Sequence, residues 1–159
     1  MNLNFTPILL LSLALLGCGE NQHNPNPGAE GAHHQHTAPH GGTLVEVGPH
    51  GSGFNLELIL EPEGVLQIYI LDAHAENFVR ISAESIVVEL LDHNQSTSKI
   101  ICKAVEDPGT GETLGNSSLF SSTQPISGFI STKANIAKLS IKEQVYKNIS
   151  FDLSLNSKN

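Results

Sequence analysis

From about Gly42 onward, apolar and polar residues alternate in short runs punctuated by turn-forming residues. Leu56, Leu58 and Leu60 alternate with Asn55, Glu57 and Ile59. The turn Glu61-Pro62-Glu63-Gly64 follows, and Leu66, Ile68 and Ile70 then alternate with Gln67, Tyr69 and Leu71. A period of two is what a strand with one buried face requires, and two such runs around a Pro/Gly turn predict a β-hairpin. Thr43–Val47, Ser85–Leu91, Ser98–Val105, Gly128–Thr132 and Ala137–Ile141 are further predicted strands. Near the C-terminus, Ile149, Phe151, Leu153 and Leu155 face one way and Ser150, Asp152, Ser154 and Asn156 the other. No stretch of helical length repeats with a period of 3.6. Residues 107–118 (DPGTGETLGNSS) read as a long polar loop. Many short strands separated by turn signals predict an all-β fold: an antiparallel β-sandwich of Ig-like architecture, with a small β-barrel as the alternative. The absence of Trp argues against a true antibody-type domain.

The alternation stops upstream of Gly42. Residues 19–39 hold no large apolar side chain and are rich in Asn, Pro, Gly and His. Such a stretch cannot bury enough surface to offset its ordering entropy, which predicts a disordered tether. Before it, Pro7 to Leu16 is apolar but too short for a membrane span, which takes about 20 apolar residues. It reads as the core of an export signal. Leu15-Leu16-Gly17-Cys18 resembles the bacterial lipobox, although Met1 to Thr6 lacks the Lys or Arg usual in such leaders. The resemblance implies a protein lipidated on Cys18, which becomes the first mature residue. The partner implied is the membrane, and the location is the periplasm-facing cell envelope. Gly19, rather than Asp, after the anchor leans towards the outer membrane. The expected organisation is a signal peptide over 1–17, a histidine-rich tether over 18–39 and a β domain over 40–156. With Cys18 lipidated, the second of the 2 cysteines, Cys102, has no partner for an internal disulfide and is expected as a buried, inert thiol.

Charge sharpens the picture. The formal net charge is −8, and it is unevenly placed. Arg80 is the first Lys or Arg, whereas Glu20, Glu30, Glu46, Glu57, Glu61, Glu63, Asp72 and Glu76 all precede it. Of the histidines, only His93 follows it. An N-terminal half that concentrates carboxylates and imidazoles attracts metal cations and repels nucleic acid.

Candidate chemistry lies in three places. The tether and its junction with the domain carry His23, His33, His34, His36 and His40, and neutral imidazoles bind Zn²⁺ or Cu²⁺ well. The alternative is a solvated spacer. Next, the Pro39-His40-Gly41-Gly42 turn holds His40 at the rim of the domain, and His50 occupies a second turn, Gly48-Pro49-His50-Gly51. The alternative there is two ordinary loop histidines. Third, in an extended Leu71-Asp72-Ala73-His74-Ala75-Glu76, the residues Asp72, His74 and Glu76 share one face. Such a row can ligate a divalent cation, or one carboxylate can orient the imidazole. The alternative is a polar strand end followed by a turn.

The stretch from His40 to Ile81, with PHGGTLVEVG, FNLELIL and YILDAHAENFVRI, resembles small exported bacterial proteins with a PHGG-like opening and a YxLDxHAExxVRI hairpin that accompany heavy-metal efflux systems. The resemblance implies metal handling, with His40 and His74 as the matching positions. An enzyme is not expected. Neither a Gly-x-Ser-x-Gly elbow nor a His-Glu-x-x-His helix occurs, and Gly109, Gly111 and Gly115 lie in a polar loop with no helix to follow. Nucleic-acid binding fails on charge and on an aromatic content of 5%. Two functions remain: a divalent-metal-binding accessory to an envelope efflux or transport protein, or an interaction module docking on an envelope assembly. The single Met is the initiator, which disfavours a thioether Cu(I) site and leaves Zn or Cu(II) as the expected metal.

Overall fold

The computed structural model describes residues 36–91, 97–126 and 131–154. Cys18, His33, His34 and His93 lie outside the described residues, as do the signal peptide and most of the tether. Where the alternation of apolar residues is cleanest, strands form as expected: β1 (Thr43–Val47), β2 (Phe54–Leu60), β3 (Leu66–Leu71) and β4 (Ser85–Leu91). They are followed by β5 (Thr97–Ala104), β6 (Leu119–Ser122), β7 (Ser131–Ile141) and β8 (Gln144–Ser154). No helix occurs among the described residues.

All eight strands belong to one sheet in the order β1-β2-β3-β6-β5-β4-β7-β8, with every neighbouring pair antiparallel. Of the two architectures expected, the antiparallel all-β fold is realised as one curled, barrel-like sheet and not as two stacked ones. The reason is β6, which pairs with β3 through Ile68↔Phe120 and with β5 through Ala104↔Phe120. It thereby stitches the two meanders into a continuous ladder. The outer strands β1 and β8 approach where Gly48, Phe54 and Tyr146 meet. A Cβ on Gly48 would lie 2.7 Å from the Tyr146 ring, and Phe54 stands edge-on to that ring at 6.1 Å.

Leu56, Leu58, Ile68, Ile70, Val88 and Phe120 are among the inward residues that form the core. Burying each such side chain stabilises the fold by about 1.5–3 kcal/mol relative to leaving it exposed. Cys102 is fully buried among them, and burial pushes its thiol up to about 12, which leaves it protonated and unreactive.

Three strand expectations are corrected. Of the predicted pieces Gly128–Thr132 and Ala137–Ile141, residues 131–132 and 137–141 belong to one strand, β7, because the buried face switches from Ala134 and Ile136 to Leu139 and Ile141 and so breaks the alternation. Residues 128–130 lie outside the described residues. β8 begins at Gln144, earlier than its apolar run suggests. β6 was not anticipated, since Leu119-Phe120-Ser121-Ser122 is too short to show a period.

The outer surface of β1–β3 positions the site. Register pairs Glu46 with Asn55 and Asn55 with Leu71, and two residues further along Leu44 with Glu57 and Glu57 with Tyr69. These are adjacent outward-facing rows, roughly 7 Å apart at the rise of a strand. The β1–β2 turn and the turn after β3 lie at the same end of the sheet. The lead-in residues 36–42 pack on this outer surface.

Candidate metal centre

At that end, His50 sits in the β1–β2 turn, where Gly48 and Gly51 adopt left-handed φ angles of 91° and 77°. Its Nδ1 is 2.9 Å from Glu46 Oε1, so a carboxylate from the C-terminal end of β1 orients the ring. His36, from the lead-in segment, packs against both neighbouring imidazoles. Its ring centroid is 5.5 Å from that of His50 and 5.7 Å from that of His74, and its Nε2 is buried. One donor atom from each of His36, Glu46 and His50 lies within 4.8 Å of the others. In a tetrahedral site with bonds of about 2.0–2.1 Å the donors stand roughly 3.4 Å apart, a distance reachable by side-chain rotation on a surface turn. The cleft beside Glu46, His50, Asn55 and Ala73 has a volume of about 10 Å³, suited to a single ion or water and too small for an organic ligand. Asn55 lines the same cleft. Its Nδ2 donates to the carbonyls of Asp72 and Ala73, while its buried Oδ1 has no hydrogen-bond partner among the described residues.

The Asp72-His74-Glu76 row takes another form. The chain turns after Leu71, with Ala75 in the left-handed region at φ 57°, so these residues do not line up along a strand. Asp72 is engaged by its own turn: Oδ1 accepts from the N–H of His74 and of Glu76, and Oδ2 accepts from Asn77 Nδ2 at 2.6 Å. Partial burial pushes its carboxyl up, but the hydrogen bonds from Asn77, Glu76 and His74 outweigh this and hold it below the ordinary carboxylate range. Asp72 is thus a turn-forming residue, and Glu76 is an exposed residue of that turn. His74 alone of the three reaches the imidazole cluster, through His36.

His40 is committed elsewhere. Its Nδ1 lies 2.8 Å from Glu57 Oε2, and its ring stacks on Tyr69 at 4.2 Å, with Phe78 at 5.7 Å. Burial, then the charges of Glu57 and Glu61, raise the Tyr69 hydroxyl above its usual range. His40 and His74 therefore engage different neighbours: His40 the Glu57–Tyr69 row, and His74 the end of the sheet. Sequence reasoning missed Glu46 and Glu57. The available signal was a lone carboxylate set among apolar residues, in Thr43-Leu44-Val45-Glu46-Val47 and in Leu56-Glu57-Leu58.

No protein-family model, curated protein or solved structure matches this chain.

Proposed function

We propose that this chain is an exported, lipid-anchored envelope protein that binds a divalent transition metal, Zn²⁺ or Cu²⁺, through His36, Glu46 and His50, in support of metal homeostasis or efflux. The carrying observation is the convergence of two imidazoles and a carboxylate, from two separate segments, within 4.8 Å. Further support comes from His74 beside His36 and from Asn55, a residue of the cleft wall whose buried Oδ1 has no hydrogen-bond partner among the described residues. Imidazole and carboxylate donors suit Zn²⁺ and Cu²⁺. Anchoring through Cys18 rests on the lipobox, and an efflux or transport partner on the PHGG-type resemblance. In this reading Glu46 either ligates the metal or holds the His50 ring with Nε2 facing it.

Calorimetric titration of the full chain with Zn²⁺ and Cu²⁺, Cys18 being replaced by Ser, tests the reading. His36→Ala and His50→Ala should each weaken binding at least tenfold, while loss of His33 and His34 leaves the tighter phase in place. Affinity that ignores His36 and His50 and follows His33 and His34 would transfer the metal to the tether. A second reading, a docking module, draws on the exposed cross-strand pair Val87 and Ile101. It stands alone if no metal binds.

A further inference from the structure

Glu57 lies in the middle of β2 with no exposed surface. A buried carboxylate is unfavourable unless donors meet its oxygens. The hydrogen bonds it receives among the described residues all come from the lead-in segment. Oε1 accepts the N–H of His40 at 2.8 Å and of Gly42 at 3.0 Å, and Oε2 meets His40 Nδ1 at 2.8 Å. The carboxylate therefore does nothing to pair one barrel strand with another. What it holds is the turn laid on top of β2.

That turn is held from several sides. Gly41 N–H bonds to the Ala38 carbonyl at 3.1 Å, with Gly41 at φ 75°. The His40 ring stacks on Tyr69, the cross-strand partner of Glu57. Gly42 rests so closely on β2 that a Cβ there would lie 2.6 Å from the Leu58 carbonyl oxygen. His36 is two residues upstream of this turn, and its ring packs on His50 and His74. Four residues of chain reach at most about 13 Å, which spans the roughly 7 Å between the Glu57 and Glu46 rows but does not reach the far end of the sheet. The anchoring of residues 40–42 thus confines His36 to the end of the sheet where His50 and His74 stand.

We propose that Glu57 is a positioning residue of the metal centre, a latch that holds residues 40–42 against β2 and so delivers His36 to His50 and Glu46. This rests on the metal-binding reading above and goes beyond it in one respect. A divalent transition metal and the latch must stabilise each other, because binding energies linked through one segment are reciprocal. Metal at His36 holds the segment down, and the segment held down presents His36 to the metal.

The test uses the full chain and Zn²⁺ as probe, reading affinity by calorimetry and hydrogen exchange of the His40 and Gly42 amides by NMR. In the unaltered chain Zn²⁺ should slow exchange at both amides, and His36→Ala should abolish that slowing. Glu57→Ala should weaken Zn²⁺ binding as much as His36→Ala, at least tenfold, and the double variant should fall no further. Glu57→Gln should recover most of the loss, since its amide oxygen still accepts both N–H groups. Gly42→Ala, whose methyl would meet the Leu58 carbonyl at 2.6 Å and Glu57 Cγ at 2.9 Å and so pushes the segment off β2 while the carboxylate is retained in the chain, should repeat the Glu57→Ala loss and covers the case in which Glu57→Ala does not fold. Weak binding by His36→Ala alongside normal binding by Glu57→Ala, or by Gly42→Ala, overturns the latch and leaves the metal site standing. Normal binding by His36→Ala, or no binding by the unaltered chain, removes the metal reading itself and the latch with it.

Discussion

The Asp72 carboxylate shows how one side chain can look like a ligand and serve as a brace. Its acceptors are taken by the N–H groups of His74 and Glu76 and by Asn77 Nδ2, and the short acid closes a turn that carries His74 to the imidazole cluster. Because these bonds favour the ionised form, its folded-state pKa lies below the ordinary 3.8. The group thus contributes stability that is present above that value and is lost as the pH falls through and below it. Asp72→Ala should destabilise the domain by about 1 kcal/mol at neutral pH. In urea unfolding curves taken down through pH 3.8, the gap between variant and parent should close. A gap of constant size would mean that the carboxylate is not what braces the turn. In the chain, Asp72, His74 and Glu76 read equally well as a strand face, because nothing in their spacing reveals that Ala75 takes a left-handed conformation.

Among elements, the β1–β2 turn decides the most. It carries His50 and also forms part of the seam where β1 nears β8. Gly48 and Gly51 both have positive φ, but their surroundings differ. A Cβ on Gly51 meets nothing, whereas one on Gly48 would strike the Tyr146 ring at 2.7 Å. Gly51→Ala should therefore cost only the left-handed backbone penalty, about 1–2 kcal/mol. Gly48→Ala should cost that and a further 1–3 kcal/mol or so of overpacking. Thermal unfolding of the two variants checks the order, and equal losses would mean that the seam is looser than described. The β7–β8 hairpin shows why some boundaries escape a periodic reading. Ala134 and Ile136 are buried and so are Leu139 and Ile141, so the inward face changes parity within β7. Asn148, opposite the change, has φ 54°. A rule of strict alternation breaks such a strand in two.

For the whole molecule, Phe120 is the joint. It is fully buried on the short strand β6, which bonds β1–β3 to the strands led by β5. Phe120→Ala should cost about 3–5 kcal/mol, a large share of the roughly 5–15 kcal/mol typical of a domain. Val145→Ala, at a position 53% exposed, should change little. If the two meanders share one core, the Phe120 variant still unfolds in a single, earlier transition by circular dichroism. Two resolved transitions would show that β6 links separately stable halves. With Cys102 the one free cysteine described, this packing and the hydrogen-bonded ladder hold the described domain together.

Strand identity was legible in the chain because burial of one face imposes a period of two, a local property written residue by residue in Leu56–Leu60 and Leu66–Leu71. So was the crowding of imidazoles and carboxylates ahead of Arg80. Which of those groups meet was decided only by the tertiary structure. His36, Glu46, His50 and His74 are brought to one end by strand register and by a segment folded back over Glu57. Contacts of that kind depend on how the sheet curls and on where a buried carboxylate finds its donors, and neither leaves a period in the sequence.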